Sequence, residues 1–214
     1  WWEIDATSPE LQTGGTRGLI MGGIISGRSN QVEFANLETT GNFADFGDLV
    51  QTASQGAGIG SRTRAIAAGG TPSSPSGTNN IDFHEFASTG NFNDFGDMAT
   101  TGFSRVAVAN QTRGVTLGNA VAPNALNNIE FLTIAHTGNA VDFGDCTIGR
   151  QEAGAAGNAT RAIVLGGSYP DASIDYVTIS TTGNAADFGD CSTVIWNTRG
   201  GNCGNAIRGL IAGG

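Results

Sequence analysis

Apolar and polar residues alternate with period 2 in short runs, separated by stretches rich in Gly, Asn, Ser and Pro. In Ile129-Glu130-Phe131-Leu132-Thr133-Ile134 the alternation puts Ile129, Phe131 and Thr133 on one face and Glu130, Leu132 and Ile134 on the other. The apolar–acid–aromatic start of this run recurs as Val32-Glu33-Phe34, Ile81-Asp82-Phe83 and Ile174-Asp175-Tyr176. Both faces are partly apolar, so the predicted strand is covered on both sides, as in a sheet stacked between two neighbours. A second type of run opens on Arg and ends in glycine: Arg17 to Gly23, Arg64 to Gly70, Arg113 to Gly118 and Arg161 to Gly167, with a fifth at Arg208 to Gly214.

These runs belong to a repeat of roughly 48 residues. Asp-Phe-Gly-Asp stands at Asp45–Asp48, Asp94–Asp97, Asp142–Asp145 and Asp187–Asp190, each preceded by Thr-Gly-Asn at Thr40, Thr89, Thr137 and Thr182. The distance from the apolar residue of the triplet to the first Asp is 13 in all four copies. Each unit parses into four strands. Strand a is a small-residue run such as Gly56–Ser61, and strand b is the Arg-led run, ended by its glycines. Strand c carries the acid–aromatic triplet, and strand d carries Asp-Phe-Gly-Asp and the residue after it.

A glycine pair closing one strand, an acid–aromatic strand, a polar turn and an aromatic before the fourth strand together resemble the kelch repeat. The TGNxxDFGD unit is similar to repeats of structural and tail-fibre proteins of marine bacteriophages. The kelch resemblance implies an all-β propeller of four-stranded antiparallel blades. It departs from kelch at Phe46, Phe95, Phe143 and Phe188, where Trp is usual, and at Gly118-Asn119, which breaks one glycine pair. A single propeller domain over 1–214 is expected, with repeats at about 16–62, 63–111, 112–159 and 160–206. A fifth blade would be composed from 207–214 and 1–15, with Trp2 in the place of the repeat's Phe. Its strand c has no counterpart in the sequence. The chain opens on Trp1-Trp2-Glu3 without Met or a signal peptide, as expected of a processed product or of part of something longer.

Composition narrows the function. The 214 residues carry a net charge of −9, and all ten basic residues are Arg. That balance argues against nucleic acid as partner, and no apolar run is long enough for membrane insertion as a helix. Cys146 and Cys191 follow Asp-Phe-Gly-Asp where other copies have Leu49 and Met98, the pattern of buried apolar filler. The repeated Asp-x-x-Asp lacks the dense oxygen donors of a calcium loop, and turn-forming Asp and Asn are expected instead. His84 and His136 occupy different places in the repeat, and no Ser-His-Asp or Cys-His arrangement stands out. No enzymatic role, metal or cofactor is expected.

The copies differ in the b–c connection: Arg to strand c spans 15, 17, 16 and 13 residues. In an antiparallel meander the b–c and d–a connections share one face of the disc, so one face is standardised and the other individual. The variable segments are Ile24–Gln31, Thr71–Asn80, Ala120–Asn128 and Ser168–Ser173, with Arg28, Tyr169 and Asp171 as distinctive side chains. The d–a connections add Arg105, Arg150, Trp196 and Arg199. Variable loops on a rigid scaffold are where binding residues gather. The candidate ligand-binding residues are therefore Arg28, Tyr169, Asp171, Trp196 and Arg199, on an extracellular or virion-surface module recognising a cell-surface glycan or protein. The rival expectation is an architectural subunit of a homo-oligomer, fibre, coat or filament. Two structural expectations accompany these. The four repeated Phe residues are buried between blades, and Arg17, Arg64, Arg113 and Arg161 pair with Glu33, Asp82, Glu130 and Asp175.

Overall fold

A computed structural model describes residues 16–73, 76–167, 171–195, 198, 201–204 and 207–212. Every regular element among them is a β-strand, and all pairings are antiparallel. Strands β1 (Arg17–Ile24), β2 (Arg28–Asn36) and β3 (Ala44–Asp48) form a three-stranded sheet. Three four-stranded sheets follow. The first joins β4 (Ala57–Gly60), β5 (Arg64–Ser73), β6 (Ser76–Glu85) and β7 (Asn93–Gly102). The second joins β8 (Val106–Ala109), β9 (Arg113–Val121), β10 (Asn124–Thr133) and β11 (Val141–Asp145). The third joins β12 (Gly154–Gly157), β13 (Arg161–Leu165), β14 (Asp171–Thr178) and β15 (Ala186–Ile195). β16 (Gly201–Gly204) and β17 (Gly209–Ala212) make a two-stranded sheet. Strands a to d of each repeat are thus neighbours in chain order, as a meander requires. The segment 1–15, which the fifth blade would need, lies outside the described residues.

Strand b does not end at its glycines. Gly69 and Gly70 take φ of 64° and 114°, and the register steps from Ala68–Ile81 to Gly70–Thr78 before the ladder continues to Ser73–Ser76. The left-handed glycine forms a bulge that absorbs the extra residue, so the hairpin runs on past it. The same happens beyond Gly118, where the hairpin closes with Val121 opposite Asn124. The expected variable loops are therefore largely paired hairpin arms of unequal length.

The sheets stack: β4 packs against β8, β8 against β12, and β12 against β16 and β17. Strand c is covered on both faces, as its pattern predicts. Ile129 packs with Phe143 and with Val164, Val177 and Ile179 of the following sheet. Leu132 and Ile134 pack with Ile66, Ile81 and Phe95 of the preceding one.

A fixed hydrogen-bonded clip joins successive sheets at strand d. Phe46 O accepts the Gly90 amide at 2.7 Å, Asp48 O accepts the Phe92 amide at 2.7 Å, and Asn91 Oδ1 accepts the Asp48 amide at 3.1 Å. Gly138, Ala140 and Asn139 repeat this on Phe95 and Asp97, and Gly183, Ala185 and Asn184 repeat it on Phe143 and Asp145. The clip explains the glycine of Asp-Phe-Gly-Asp. A Cβ on Gly47 would lie 2.1 Å from Gly90 O, and one on Gly144 would lie 2.4 Å from Gly183 O. Thr-Gly-Asn and Asp-Phe-Gly-Asp are thus the two halves of one joint, contributed by different repeats.

Two expectations are corrected. Phe46, Phe95 and Phe143 are 2%, 3% and 2% exposed, but Phe188 is 49% exposed. Among the described residues no strand c or Thr-Gly-Asn turn covers Phe188. The second concerns the repeated Arg residues, which do not meet the strand c acids. Arg17 lies opposite Asn36 and Ile20 opposite Glu33, so Arg and acid are three positions apart along the ladder and face opposite sides of the sheet. The aromatic, two positions away, shares the Arg's side. Arg17, Arg64, Arg113 and Arg161 accordingly sit over Phe34, Phe83, Phe131 and Tyr176, with Cζ 5.1, 4.9, 4.6 and 4.5 Å from the ring centroids. Three of them also donate to a carbonyl of the next sheet: Arg17 to Phe86 O, Arg64 to Ile134 O and Arg113 to Ile179 O.

Cys146 is buried at the place of Leu49 and Met98, and burial pushes its thiol up to about 12. Cys191, the same position in the last full sheet, is half-buried and also raised by burial.

Candidate functional site

The strand c acids Asp82, Glu130 and Asp175 point at the preceding sheet, where they take up amides that begin two residues after Asp-Phe-Gly-Asp. Asp82 accepts the Val50 amide at 3.0 Å. Glu130 accepts those of Ala99 and Thr100 at 2.9 and 3.0 Å. Asp175 accepts the Thr147 amide at 2.9 Å and its hydroxyl at 2.6 Å. The connections from strand d to the next strand a start from these anchors, so the acids fix the path of the chain onto the variable face.

Two of those connections place an arginine behind an acid. Arg105 Nη1 lies 3.6 Å from Glu130 Oε1, and Arg150 Nε lies 3.5 Å from Asp175 Oδ2, with both side chains fully enclosed. The sequence places both arginines in the d–a connections of the variable face, and the structure buries them. The acids, already desolvated in the sheet interface, draw the guanidinium groups inward, since an uncompensated buried carboxylate is far costlier than a paired one. Arg150 also donates to Gly166 O and to Ser173 O and Oγ. Arg105 reaches Thr100 O, while its Nε and the Ser104 hydroxyl lack hydrogen-bond partners. Burial lowers the Arg105 pKa, and Glu130 opposes that shift. Asp82 has neither arginine, and burial raises its carboxyl to about 6.

Next to these pairs, Gln55, Ser104 and Glu152 have φ of 60°, 57° and 59°. They are the described non-glycine residues with positive φ, and each lies seven residues after the last Asp of Asp-Phe-Gly-Asp (48 to 55, 97 to 104, 145 to 152). Non-glycine residues pay a steric penalty in this region, of about 1–3 kcal/mol, and persist only where their surroundings hold them. Here the holding is a relay: Ser104 donates its amide to Gln55 O at 2.8 Å, and Glu152 donates its amide to Ser104 O at 3.2 Å. The Thr198 hydroxyl continues it to Glu152 O at 3.4 Å. Gln55, Ser104, Arg105 and Glu152 line a cavity of ≈ 150 Å³. Gly56, Val106 and Ala153 complete the lining, so polar and apolar residues share this small space. Among the described residues no three of His, Cys, Asp and Glu gather to hold a metal ion.

Of the expected ligand-binding residues, Arg28 and Asp171 stand on hairpin arms of this same face. Arg28 donates to Ser54 Oγ at 3.2 Å. Asp171 accepts the Ser173 amide at 2.6 Å, and the Ser173 contacts hold its carboxyl below the ordinary carboxylate range. Tyr169, Trp196 and Arg199 lie outside the described residues. The relay residues escaped the sequence reading because Gln, Ser and Glu share no side-chain chemistry. Their constant offset from Asp-Phe-Gly-Asp is the one signal that marks them. Comparison of the chain with protein-family models and with curated proteins gives no match.

Proposed function

We propose that this chain is a non-enzymatic binding module: a kelch-like five-bladed propeller, its last blade composed from both termini, displayed on an extracellular or virion surface. In this reading it works like a tail fibre or adhesin, and the face of b–c hairpins and d–a connections recognises a cell-surface glycan or protein. The observation that carries the reading is the row of strained residues Gln55, Ser104 and Glu152 around a small cavity. Their strain has no packing purpose, since glycine would serve the turn better, and each copy carries a different hydrogen-bonding side chain. Arg28 and Asp171 belong to the outer part of the same recognition face, and Tyr169, Trp196 and Arg199 are proposed as further ligand contacts.

The test is an array of immobilised oligosaccharides and intact cell-surface proteins. It is probed with the parent chain, with the triple variant Gln55→Gly, Ser104→Gly, Glu152→Gly, and with Tyr169→Ala, Trp196→Ala. Glycine relieves the positive-φ penalty while adding backbone entropy to the unfolded chain, so melting should change little, by about 1 kcal/mol or less per site. Binding should be lost in both variants. An array on which the parent is silent, or on which all three proteins bind alike, overturns the reading.

A further inference from the structure

The cavity beside the strained residues has a size and a lining that select among ligands. It lies where the neighbouring strands β4, β8 and β12 begin. Its volume of ≈ 150 Å³ is the room of about five waters at roughly 30 Å³ each. Sites that enclose a whole small molecule start at about 300 Å³, so a sugar ring stays outside and only a substituent of about four heavy atoms enters. One wall carries donors in need of an acceptor. Among the described residues the Ser104 hydroxyl and Arg105 Nε have no hydrogen-bond partner, in side chains of residues only 7% and 4% exposed. Such groups are rare in folded proteins because leaving them unpaired is costly. The opposite chemistry is present too, in the Glu152 carboxylate and in the apolar Val106 and Ala153. Charge then favours a neutral occupant. Arg105 is already matched by Glu130, 3.6 Å from its Nη1. An entering anion would meet Glu152, and an entering cation would lie beside Arg105 and against apolar side chains.

We propose that this cavity receives the acetamido group of an N-acetylamino sugar, a proposal that rests on the recognition reading above and names the class of glycan taken. An acetamido group is neutral, small enough to enter, and amphipathic as the lining is. Its carbonyl oxygen accepts from the Ser104 hydroxyl and Arg105 Nε, its N–H donates to Glu152, and its methyl lies against Val106 and Ala153. No protein group holds the Ser104 hydroxyl, so it is free to turn toward the carbonyl. The sugar ring remains at the rim, where Arg28 donates to Ser54 Oγ beside Gln55. A sugar with a plain hydroxyl in place of the acetamido group leaves the apolar wall empty and is discriminated against.

The test is an NMR titration of the full chain with N-acetylglucosamine and N-acetylgalactosamine, with glucose and galactose as controls, combined with saturation transfer from protein to sugar. Saturable binding of an acetylated sugar is expected, with the strongest transfer to its acetyl methyl and binding of the controls weaker by at least about tenfold. Ser104→Ala should weaken the acetylated sugar by about fivefold, the loss of one hydrogen bond, and leave melting unchanged or raised, since the hydroxyl bonds nothing in the free protein. Absence of saturable binding by both acetylated sugars overturns the proposal, as does strongest transfer to ring protons. Unchanged binding by Ser104→Ala, or a lowered melting temperature in that variant, overturns it too. Nε-acetyl-lysine amide binding as tightly as the sugar overturns the assignment to glycans. On the oligosaccharide array, binding confined to glycans without an N-acetylamino sugar overturns this proposal alone and leaves the recognition reading standing, whereas a silent array overturns both.

Discussion

Phe143 and Phe188 occupy the same place in the repeat, follow the same Asp, and meet the same kind of ring at the same centroid distance. One is 2% exposed and the other 49%. The next repeat brings Val177, Ile179 and the Gly183 turn to Phe143, and among the described residues nothing equivalent meets Phe188. A repeat in such an array therefore sets the geometry of its strand d, while its burial is a property of the pair of repeats. This is the nearest-neighbour logic of repeat proteins, and it can be attacked directly.

The largest effect comes from deleting the shared ring. Phe46→Ala, Phe95→Ala and Phe143→Ala should each destabilise the protein by about 3–5 kcal/mol, as for a fully buried Phe. Phe188→Ala should cost about 1 kcal/mol or less, because half of its ring already faces solvent. Urea unfolding of the four variants checks this, and equal losses would break the comparison between interior and terminal joints.

The second effect sharpens the difference between acids backed by arginine and the one that is not. Burial raises the Asp82 carboxyl to about 6, against an ordinary value of 3.8. The folded state holds the proton more tightly between those values. Asp82 therefore contributes stability that is complete below pH 3.8 and lost as pH rises through about 6. Asp82→Asn removes this term while an amide oxygen can still accept the Val50 N–H. The stability of the parent relative to Asp82→Asn should fall from pH 4 to pH 6.5 and level off above that. Denaturant midpoints across this range measure it, and a pH-independent difference contradicts the assignment.

The smallest effect is chemical. Cys146, enclosed in an interior joint with its thiol pushed up to about 12, should resist alkylation at pH 8 until the protein unfolds. Cys191, at the same place in the terminal sheet, should react first. Mass spectrometry of a timed iodoacetamide reaction orders the two sites, and equal rates would show that the terminal joint is as closed as the interior ones.

Much of the architecture was legible in the chain itself. The period of roughly 48 residues, the four strands per repeat and the double-sided covering of strand c follow from spacing and alternation, because a strand's side-chain period is fixed by its backbone. The same alternation, applied across the pair of strands, would have corrected the Arg–acid pairing. Pairing by charge ignored that Arg64 and Asp82 leave the sheet on opposite sides, a matter of register that neither strand carries alone. The continuation of the hairpins past Gly69 and Gly118 escaped notice because a left-handed glycine reads as a stop when it is in fact a bulge.

What the sequence by itself determined is local and periodic: which residues form strands, which turns repeat, and which positions within a repeat are equivalent. Only the tertiary structure decided what each equivalent position meets. It drew Arg105 and Arg150, which stand at different offsets in their connections, to the same kind of buried acid, because desolvated carboxylates recruit whatever cation the chain can bring within reach. It set Gln55, Ser104 and Glu152 side by side in strained conformations, although no shared chemistry links them. It also left Phe188 uncovered, since burial depends on the neighbour's presence, and a residue's own sequence context says nothing about that.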